Sequence, residues 1–313
     1  MSYFCKIKKA WKTISIAVFA LTFVYLLRYM RSIESNFTIC NCYTPFLILL
    51  NAVCISILVH CEWIFYNPKV SFSKLMGIEY VSCAMKMIFP FSLGTCFKAV
   101  FLKRESLLSY KQFIYINAIT NLILLSACCI QIGICFLIKK FYICAELSII
   151  MIFFLCPAFF AMIRITRMFF PYMFQLKFSP KKIKKFHKKV RWLFYQKDKI
   201  VLCFTESMIF LALKGLIFSF IFDLLGFHRN FSDAVLYSIV YLLSTFIKIV
   251  PDNIGITEIF VGIYSCFLGV NVKQGIAIAF INRVMHYLTI ICGAFFIGIF
   301  MQKKSYQNGT LPR

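Results

Sequence analysis

Acidic residues are scarce in this sequence. Asp and Glu together number 11, against 35 Lys and Arg, and only 15% of all residues are charged. A soluble domain usually carries about a quarter of charged residues, so this shortage excludes an ordinary soluble surface. The net charge of +24 does not indicate nucleic-acid binding. The positive residues lie in short segments beside apolar runs, which is typical of the cytoplasmic loops of membrane proteins.

The sequence also lacks the common signatures of enzymes and metal sites. It contains no Gly-rich phosphate loop, no His-Glu-x-x-His and no Gly-x-Ser-x-Gly. Its 15 cysteines include no Cys-x-x-Cys pair with a second pair of ligands, and most lie inside apolar runs. A thiol in such a run packs as a small apolar side chain. We therefore expect no enzymatic activity, no cofactor and no metal ion.

Long apolar runs are the main feature of the chain. Hydrophobic residues make up 61% of its 313 residues, and the mean hydropathy is +0.83. A run of about 20 apolar residues can cross the hydrocarbon core as a helix. The sequence thus predicts an all-α fold, a polytopic transmembrane helical bundle, with residues 1–313 forming one integral membrane domain. The apolar runs are Thr13–Leu27, Thr44–Tyr66, Glu79–Val100, Gln112–Ile138, Leu147–Ile165, Ile200–Phe222, Ala234–Val250, Ile254–Val270 and Gly275–Met301.

The distribution of positive charge constrains how these runs cross the membrane. The segment at about 166–199 is strongly basic and is predicted to be a cytoplasmic loop. Simple alternation of crossings would export this loop together with Lys103 and Arg104. The conflict disappears if Glu79–Val100 enters from the cytoplasm and returns to it as a re-entrant hairpin. We therefore predict a multi-pass protein of the cell inner (cytoplasmic) membrane with both termini in the cytoplasm.

A second interrupted pair of runs lies nearer the C-terminus. Ala234–Val250 and Ile254–Val270 are short, and they form either two crossings or one hairpin that enters from outside; charge does not separate these options. Both interruptions contain Pro-x-x-x-Gly, and as hairpins they would enter from opposite faces. Such inverted interruptions point to a transporter's binding site near the midplane, although a motif this short also arises by coincidence. The predicted hairpin tips contain Pro90, Gly94, Pro251, Asn253 and Gly255.

Ionisable side chains within apolar runs are costly and therefore mark candidate functional sites. Glu206 and Lys214 are eight residues apart, which places them toward one helical face. Arg283 and His286 form a polar notch with Asn282. For each candidate, a snorkelling side chain or a structural ion pair is the alternative. The candidates are His60, Glu62, Lys86, Lys98, Glu206, Lys214, Lys248, Glu258, Arg283 and His286.

Two segments resemble the signatures of a known membrane family. Pro90 to Gly94, followed by Lys98, is similar to the Pro-x-x-x-Gly-x-x-x-Arg signature of the lysylphosphatidylglycerol synthase transmembrane-region family, also called flippase-like membrane domains. Pro251 to Glu258 is similar to its second signature, a Pro followed by Gly-x-Gly-x-x-Glu, and Arg283 lies where the family has a late helical arginine. The departures are Lys98 for arginine, Asn253 for a glycine and Thr257 for a common basic residue.

The resemblance implies translocation of phospholipids or polyprenyl-linked lipids between leaflets. The soluble aminoacyl transferase fused to the best-known members is lacking in this chain, so lipid aminoacylation is not expected. The leading hypothesis is a flippase-like lipid translocase for an anionic phospholipid or a polyprenyl-phosphate-linked glycan lipid. The alternative is a non-transporting accessory membrane subunit of envelope lipid or glycan biosynthesis. The expected partners are membrane lipids with anionic headgroups and, for the alternative, envelope glycan or lipid biosynthesis enzymes.

In this hypothesis the buried charges have separate roles. Lys98, Lys214 and Arg283 are the candidates for binding the lipid phosphate. Glu258 is expected within salt-bridge reach of at least one of these cations, because several lone charges would oppose membrane insertion. Ion pairing or binding of a coupling proton is the role assigned to Glu258, Glu206 and His286.

Overall fold

The protein is helical in the part that the computed structural model describes, which is residues 37–66, 70–88, 93–104, 109–139, 197–227, 229–246 and 251–307. These residues form eight α-helices and one 3-10 turn, with no β-strand among them, so the predicted all-α fold is confirmed. The elements are α1 (Phe37–Trp63), α2 (Phe72–Ile88), α3 (Leu93–Arg104), α4 (Tyr110–Ile138), α5 (Lys197–Leu224), α6 (Phe231–Ser244), the 3-10 turn (Pro251–Asn253), α7 (Ile256–Phe267) and α8 (Val272–Gln307).

Four of these helices are long and apolar enough to cross a membrane. The apolar stretches are Tyr43–Trp63 in α1, Tyr110–Ile138 in α4, Lys197–Leu224 in α5 and Val272–Phe295 in α8. A helix suits this environment because it satisfies the backbone N–H and C=O groups within the segment. These four helices indicate a multi-pass membrane protein, as the sequence predicts.

Contacts between the long helices bring several helix termini together. α1 runs antiparallel to α5, because Tyr43 packs on Phe220 while His60 contacts Glu206. α4 runs parallel to α5, because Lys139 at the end of α4 contacts the start of α6, which follows α5 directly. The end of α1 and the starts of α4 and α5 therefore lie at one end of the bundle, called the basic end below. Its exposed cations include Lys103, Arg104, Lys111 and Lys197.

The segment predicted to be re-entrant is broken into two helices. α2 and α3 pack against each other, which excludes a single straight helix over Glu79–Val100. Gly94 permits this packing, since a Cβ at this position would lie 2.1 Å from the carbonyl oxygen of Ser82. α2 follows α1 and α3 precedes α4, so this first hairpin begins and ends at the basic end. Its position relative to the lipid bilayer stays a prediction.

α6, the 3-10 turn and α7 form a second hairpin. Tyr237 in α6 donates a hydrogen bond of 2.8 Å to Ser265 near the end of α7, so the two helices are antiparallel. With 14 and 12 residues, they are about 21 and 18 Å long, shorter than the hydrocarbon core of about 30 Å. These lengths favour one hairpin over two crossings. The turn contacts α2, so the two hairpins meet.

Residues at the tip of the second hairpin adopt left-handed backbone conformations. Gly255 has a φ of 86°, and Asn253 has a φ of 53°. Glycine adopts positive φ without steric cost, and asparagine tolerates it better than most residues. Asn253 can therefore stand where the family signature has a glycine.

Some expectations concern residues outside the described ranges. These are the apolar runs Thr13–Leu27 and Leu147–Ile165, most of the basic loop at about 166–199, Pro90, Lys248 and the cytoplasmic placement of both termini.

Candidate functional site

A cavity of about 340 Å³ lies inside the bundle where the two hairpins meet. The first hairpin contributes Lys86 and Thr95 to its wall, and the turn of the second contributes Asp252 and Asn253. The long helices contribute their middle parts and, in α1 and α4, the halves nearer the basic end. Their polar residues on the wall are Glu62, Asn117, Thr120, Asn121, Ser207, Lys214 and His286.

Aromatic packing closes the bundle at the opposite end. The ring of Tyr237 lies 5.0 Å from that of Phe222 and 5.4 Å from that of Tyr264. Phe218, Phe222 and Tyr237 are almost fully buried. Aromatic pairs at these separations stabilise packing beyond the area that they bury. None of these four rings lines the cavity, which therefore does not extend through this end of the bundle.

One lysine and two carboxylates hold the first hairpin against α1. Lys98 Nζ lies 2.5 Å from Glu62 Oε2 in α1 and also contacts Glu79 in α2. Lys86 Nζ lies 3.3 Å from Glu79 Oε1, and the Tyr66 hydroxyl donates to Glu62 at 3.1 Å. Lys98 is only 3% exposed, so its charge depends on these acids for compensation. Lys98, Glu62 and Glu79 are called the first charge cluster.

One arginine and two acids hold the second hairpin against α8. Arg283 Nε lies 2.6 Å from Glu258 Oε1, in a charge contact without the alignment of a hydrogen bond. The guanidinium donates to the Asp252 carbonyl at 2.7 Å and lies 3.4 Å from the Asp252 carboxylate. Gly255 N–H donates to the other Glu258 oxygen at 2.7 Å. The predicted contact of Glu258 with a buried cation is thereby confirmed. Arg283, Glu258 and Asp252 are called the second charge cluster.

Lys214 is in a different situation from Lys98 and Arg283. Its Nζ has no carboxylate neighbour among the described residues; it donates to Asn51 Oδ1 at 2.7 Å, and Lys214 lines the cavity. Lys98 and Arg283 do not line the cavity; they lie behind its wall, against acids. Of the three cations predicted to bind phosphate, Lys214 is therefore the one whose side chain lines the cavity.

The two remaining predicted residues lie on different surfaces. His286 lines the cavity, and its buried Nδ1 has no hydrogen-bond partner in the part of the chain that the structure describes. Glu206 does not contact Lys214, although both residues pack against α1. Its Oε1 lies 2.6 Å from His60 Nδ1, beside a separate groove on the outside of the α1–α5 pair.

Two members of these clusters, and a tyrosine that contacts the second cluster, were not among the predicted residues. Glu79 is the first residue of the apolar run Glu79–Val100, and Asp252 lies in the turn between two apolar runs. Tyr287 is uncharged and was therefore not a candidate, although its hydroxyl donates to Asp252 at 2.8 Å. Helical spacing could have indicated that Tyr287 shares a face with Arg283, four residues earlier. Within the described ranges, no group of three or more His, Cys, Asp or Glu side chains could hold a metal ion.

The sequence was compared with protein families, curated proteins and solved structures. The family described as the lysylphosphatidylglycerol synthase TM region matches residues 12–293, which include both hairpins and both charge clusters. Neither a curated protein nor a solved structure matches the chain. The family match relates the chain to membrane proteins of lipid biosynthesis or translocation. The chain therefore belongs to the lysylphosphatidylglycerol synthase transmembrane-region family.

Proposed function

We propose that this protein is a flippase-like lipid translocase that moves a lipid with an anionic, phosphate-containing headgroup between leaflets, without catalysing a chemical reaction. The observation that carries the proposal is Lys214, which lines the cavity and which contacts an amide but no acid among the described residues. Leaving a buried ammonium without a negative partner costs several kcal/mol. A phosphate oxygen in the cavity would supply that partner.

The size and lining of the cavity suit a headgroup rather than a whole lipid. At about 340 Å³ it is at the lower end of the range for small-molecule pockets. The acyl or prenyl chains would therefore stay in the bilayer. Asn117, Asn121 and Ser207 on the wall could replace water around the hydroxyl groups of a glycerol or glycan.

The closed aromatic end suggests how such a cavity would be used. A headgroup would enter the cavity from the basic end. Its release at the opposite end would require α6 and α7 to move away from α5. The Tyr237–Ser265 hydrogen bond and the contact between Lys139 and Asp233 would then break or shift. Alternation between these two openings is the motion expected of a transporter that binds near the midplane.

Leaflet-resolved transport in proteoliposomes tests this function. The probes are a fluorescent phosphatidylglycerol and a fluorescent polyprenyl phosphate, which distinguish the two sources of the phosphate. Lys214→Met removes the charge at nearly constant length, and we expect about a tenfold or greater loss of rate, because a hydrogen bond to a charged group contributes about 1.5–3 kcal/mol. Lys214→Arg should retain more activity.

The matched control is Ile259→Leu, at a position that is 56% exposed. Its rate should stay within about twofold of the wild type, as for most surface substitutions. If the folded wild-type protein moves neither probe faster than protein-free liposomes do, the translocase proposal is wrong. An accessory role in envelope lipid or glycan biosynthesis would then be the better hypothesis.

We also propose that the basic end faces the cytoplasm of a cell inner membrane, because loops rich in Lys and Arg are retained there. Single cysteines at Lys111 and Asn230, both exposed, would report on opposite ends in a cysteine-depleted background. Asn230→Cys should react with an impermeant maleimide in intact cells, and Lys111→Cys only after permeabilisation. The reverse pattern would overturn this orientation.

A further inference from the structure

Glu206 is the exception among the carboxylates that are buried or half-buried in the described part of the protein. Each of the others contacts a lysine or an arginine; they are Glu62, Glu79, Asp233, Asp252 and Glu258. Glu206 contacts His60, at 2.6 Å, and accepts a hydrogen bond from the Cys61 thiol at 3.2 Å. In a chain with 35 Lys and Arg, an acid without such a partner in this part of the structure requires an explanation.

Glu206 lies in the wall between the cavity and the outer surface. His60 and Glu206 line a groove of about 290 Å³, with Val53 and Ile209 beside them. The next residue along each helix, Cys61 and Ser207, lines the internal cavity instead. The groove is thus separate from the cavity. Val53 and Ile209 are 40% and 48% exposed, as expected of side chains that face lipid.

The His60–Glu206 end of the groove lies near the end of the apolar span of α1. The apolar span of α1 ends at Trp63, and His60 is three residues earlier, about 4.5 Å along the helix axis. Aromatic rings surround His60, with Trp63 at 5.4 Å and Phe72 at 5.8 Å between centroids. Such rings are typical of the boundary between hydrocarbon and headgroups.

The acceptors in this groove fit an ammonium group. A carboxylate has about four acceptor positions, and the described contacts of Glu206 use two of them. When His60 donates from Nδ1, its Nε2 is a further acceptor, and the neighbouring aromatic faces attract a cation. A primary ammonium has three N–H donors for such acceptors, whereas a quaternary ammonium has none.

We propose that the groove between α1 and α5 binds the primary ammonium of a phospholipid headgroup of the phosphatidylethanolamine type, at Glu206 and His60. The bound lipid belongs to the surrounding leaflet. Its site differs in position and in charge preference from the cavity around Lys214, and this proposal does not depend on lipid translocation.

Native mass spectrometry of the purified protein tests the site. The probes are phosphatidylethanolamine, phosphatidylcholine and phosphatidylglycerol with identical acyl chains. We expect phosphatidylethanolamine to bind most tightly, and Glu206→Gln to weaken it about tenfold, the equivalent of about 1.4 kcal/mol. Equal binding of phosphatidylcholine would overturn the assignment to a primary ammonium, and unchanged binding in Glu206→Gln would overturn the site.

A second pair of variants covers the case in which Glu206→Gln folds poorly. Val53→Trp would fill the groove without altering the carboxylate, whereas Leu49→Trp adds the same side chain one turn away on α1, at a position that is 61% exposed and outside the groove. Binding of phosphatidylethanolamine should fall in Val53→Trp alone. If both variants bind it like the wild type, the groove is not the site.

Transport of the anionic probes in liposomes without phosphatidylethanolamine should be the same in Val53→Trp and Leu49→Trp. This measurement separates failure of this site from failure of the translocase.

Discussion

The two charge clusters contain the same kinds of group but differ in how much we expect each to contribute to the stability of the fold. Each has one cation between two carboxylates, and each joins a helical hairpin to a long helix. In the first cluster, Lys98 presents a single ammonium to two side chains. In the second, the planar guanidinium of Arg283 contacts the Glu258 side chain and also the backbone of the turn.

This difference follows from the chemistry of the two cations. A lysine ammonium is a compact charge on a flexible stem, and a guanidinium has five donors in a fixed plane. The first hairpin is held by acids that have additional donors, Lys86 and Tyr66. The turn of the second hairpin has strained backbone at Asp252 and Asn253, with φ of 44° and 53°, and Arg283 binds the carbonyls of both residues. We therefore expect the second cluster to be less tolerant of substitution.

The largest effect is expected from Arg283→Met. It would leave Glu258, which is 3% exposed, as an uncompensated buried charge, and it would free the carbonyl groups of the turn. Loss of one partner of a buried pair typically costs about 3–5 kcal/mol. The free energy of unfolding, measured by SDS titration in mixed micelles, should fall by about this amount. Ile259→Leu on α7 is the control and should be near wild type; equal stability of the two variants would show that Arg283 does not hold the turn.

Lys98→Met should have a smaller effect. Glu79 would keep Lys86 at 3.3 Å and Glu62 would keep the Tyr66 hydroxyl, so neither acid would be left without a donor. We expect a loss of about 1.5–3 kcal/mol, which is the range for a hydrogen bond to a charged group. The double variant Lys98→Met, Glu62→Gln should recover part of that loss in the same titration. A loss larger than that of Arg283→Met would reverse the comparison between the clusters.

The sequence predicted one contact of the second charge cluster and none of the contacts of the first. Glu258 was predicted to contact at least one of Lys98, Lys214 and Arg283, because charges deep in apolar runs must be compensated, and the cation that it contacts is Arg283. The partners of Lys98 were not predicted. Glu79 and Glu62 are 19 and 36 residues away, and only the folding of α2 onto α3 and α1 brings them together.

The breaks in the helices were more predictable than their contacts. Proline and glycine interrupt an apolar run locally, so Pro-x-x-x-Gly indicated both interruptions, although the second was left open as one hairpin or two crossings. The surroundings of Lys214 and Glu206 could not be predicted in this way. Spacing placed both residues toward one face of their helix, but it did not show that Lys214 lines an internal cavity while Glu206 lines an outer groove.

Arg283→Lys separates the charge of the guanidinium from its geometry. A lysine could reach Glu258 or the turn carbonyls, and we expect a loss of about 1–2 kcal/mol in the same titration, close to one charge-assisted hydrogen bond. Because Arg283 lies behind the cavity wall, lipid transport per folded molecule should change little. A transport loss of tenfold or more at near-normal stability would instead assign Arg283 a direct contact with the lipid phosphate.

Asp252→Asn should have the smallest effect. It would show how much the second acid of the second charge cluster contributes to stability. The Asp252 side chain is 30% exposed, and its carboxylate is 3.4 Å from Arg283, so water screens much of the attraction. Partly exposed ion pairs usually contribute at most about 1 kcal/mol. The substituted amide can still accept from the Tyr287 hydroxyl, and the Asp252 carbonyl, which binds Arg283 at 2.7 Å, is retained. Stability should therefore fall by less than about 1 kcal/mol, and Tyr287→Phe should give a loss of similar size. A loss as large as that of Arg283→Met would mean that the Asp252 carboxylate, rather than Glu258 and the turn carbonyls, is the main partner of the arginine.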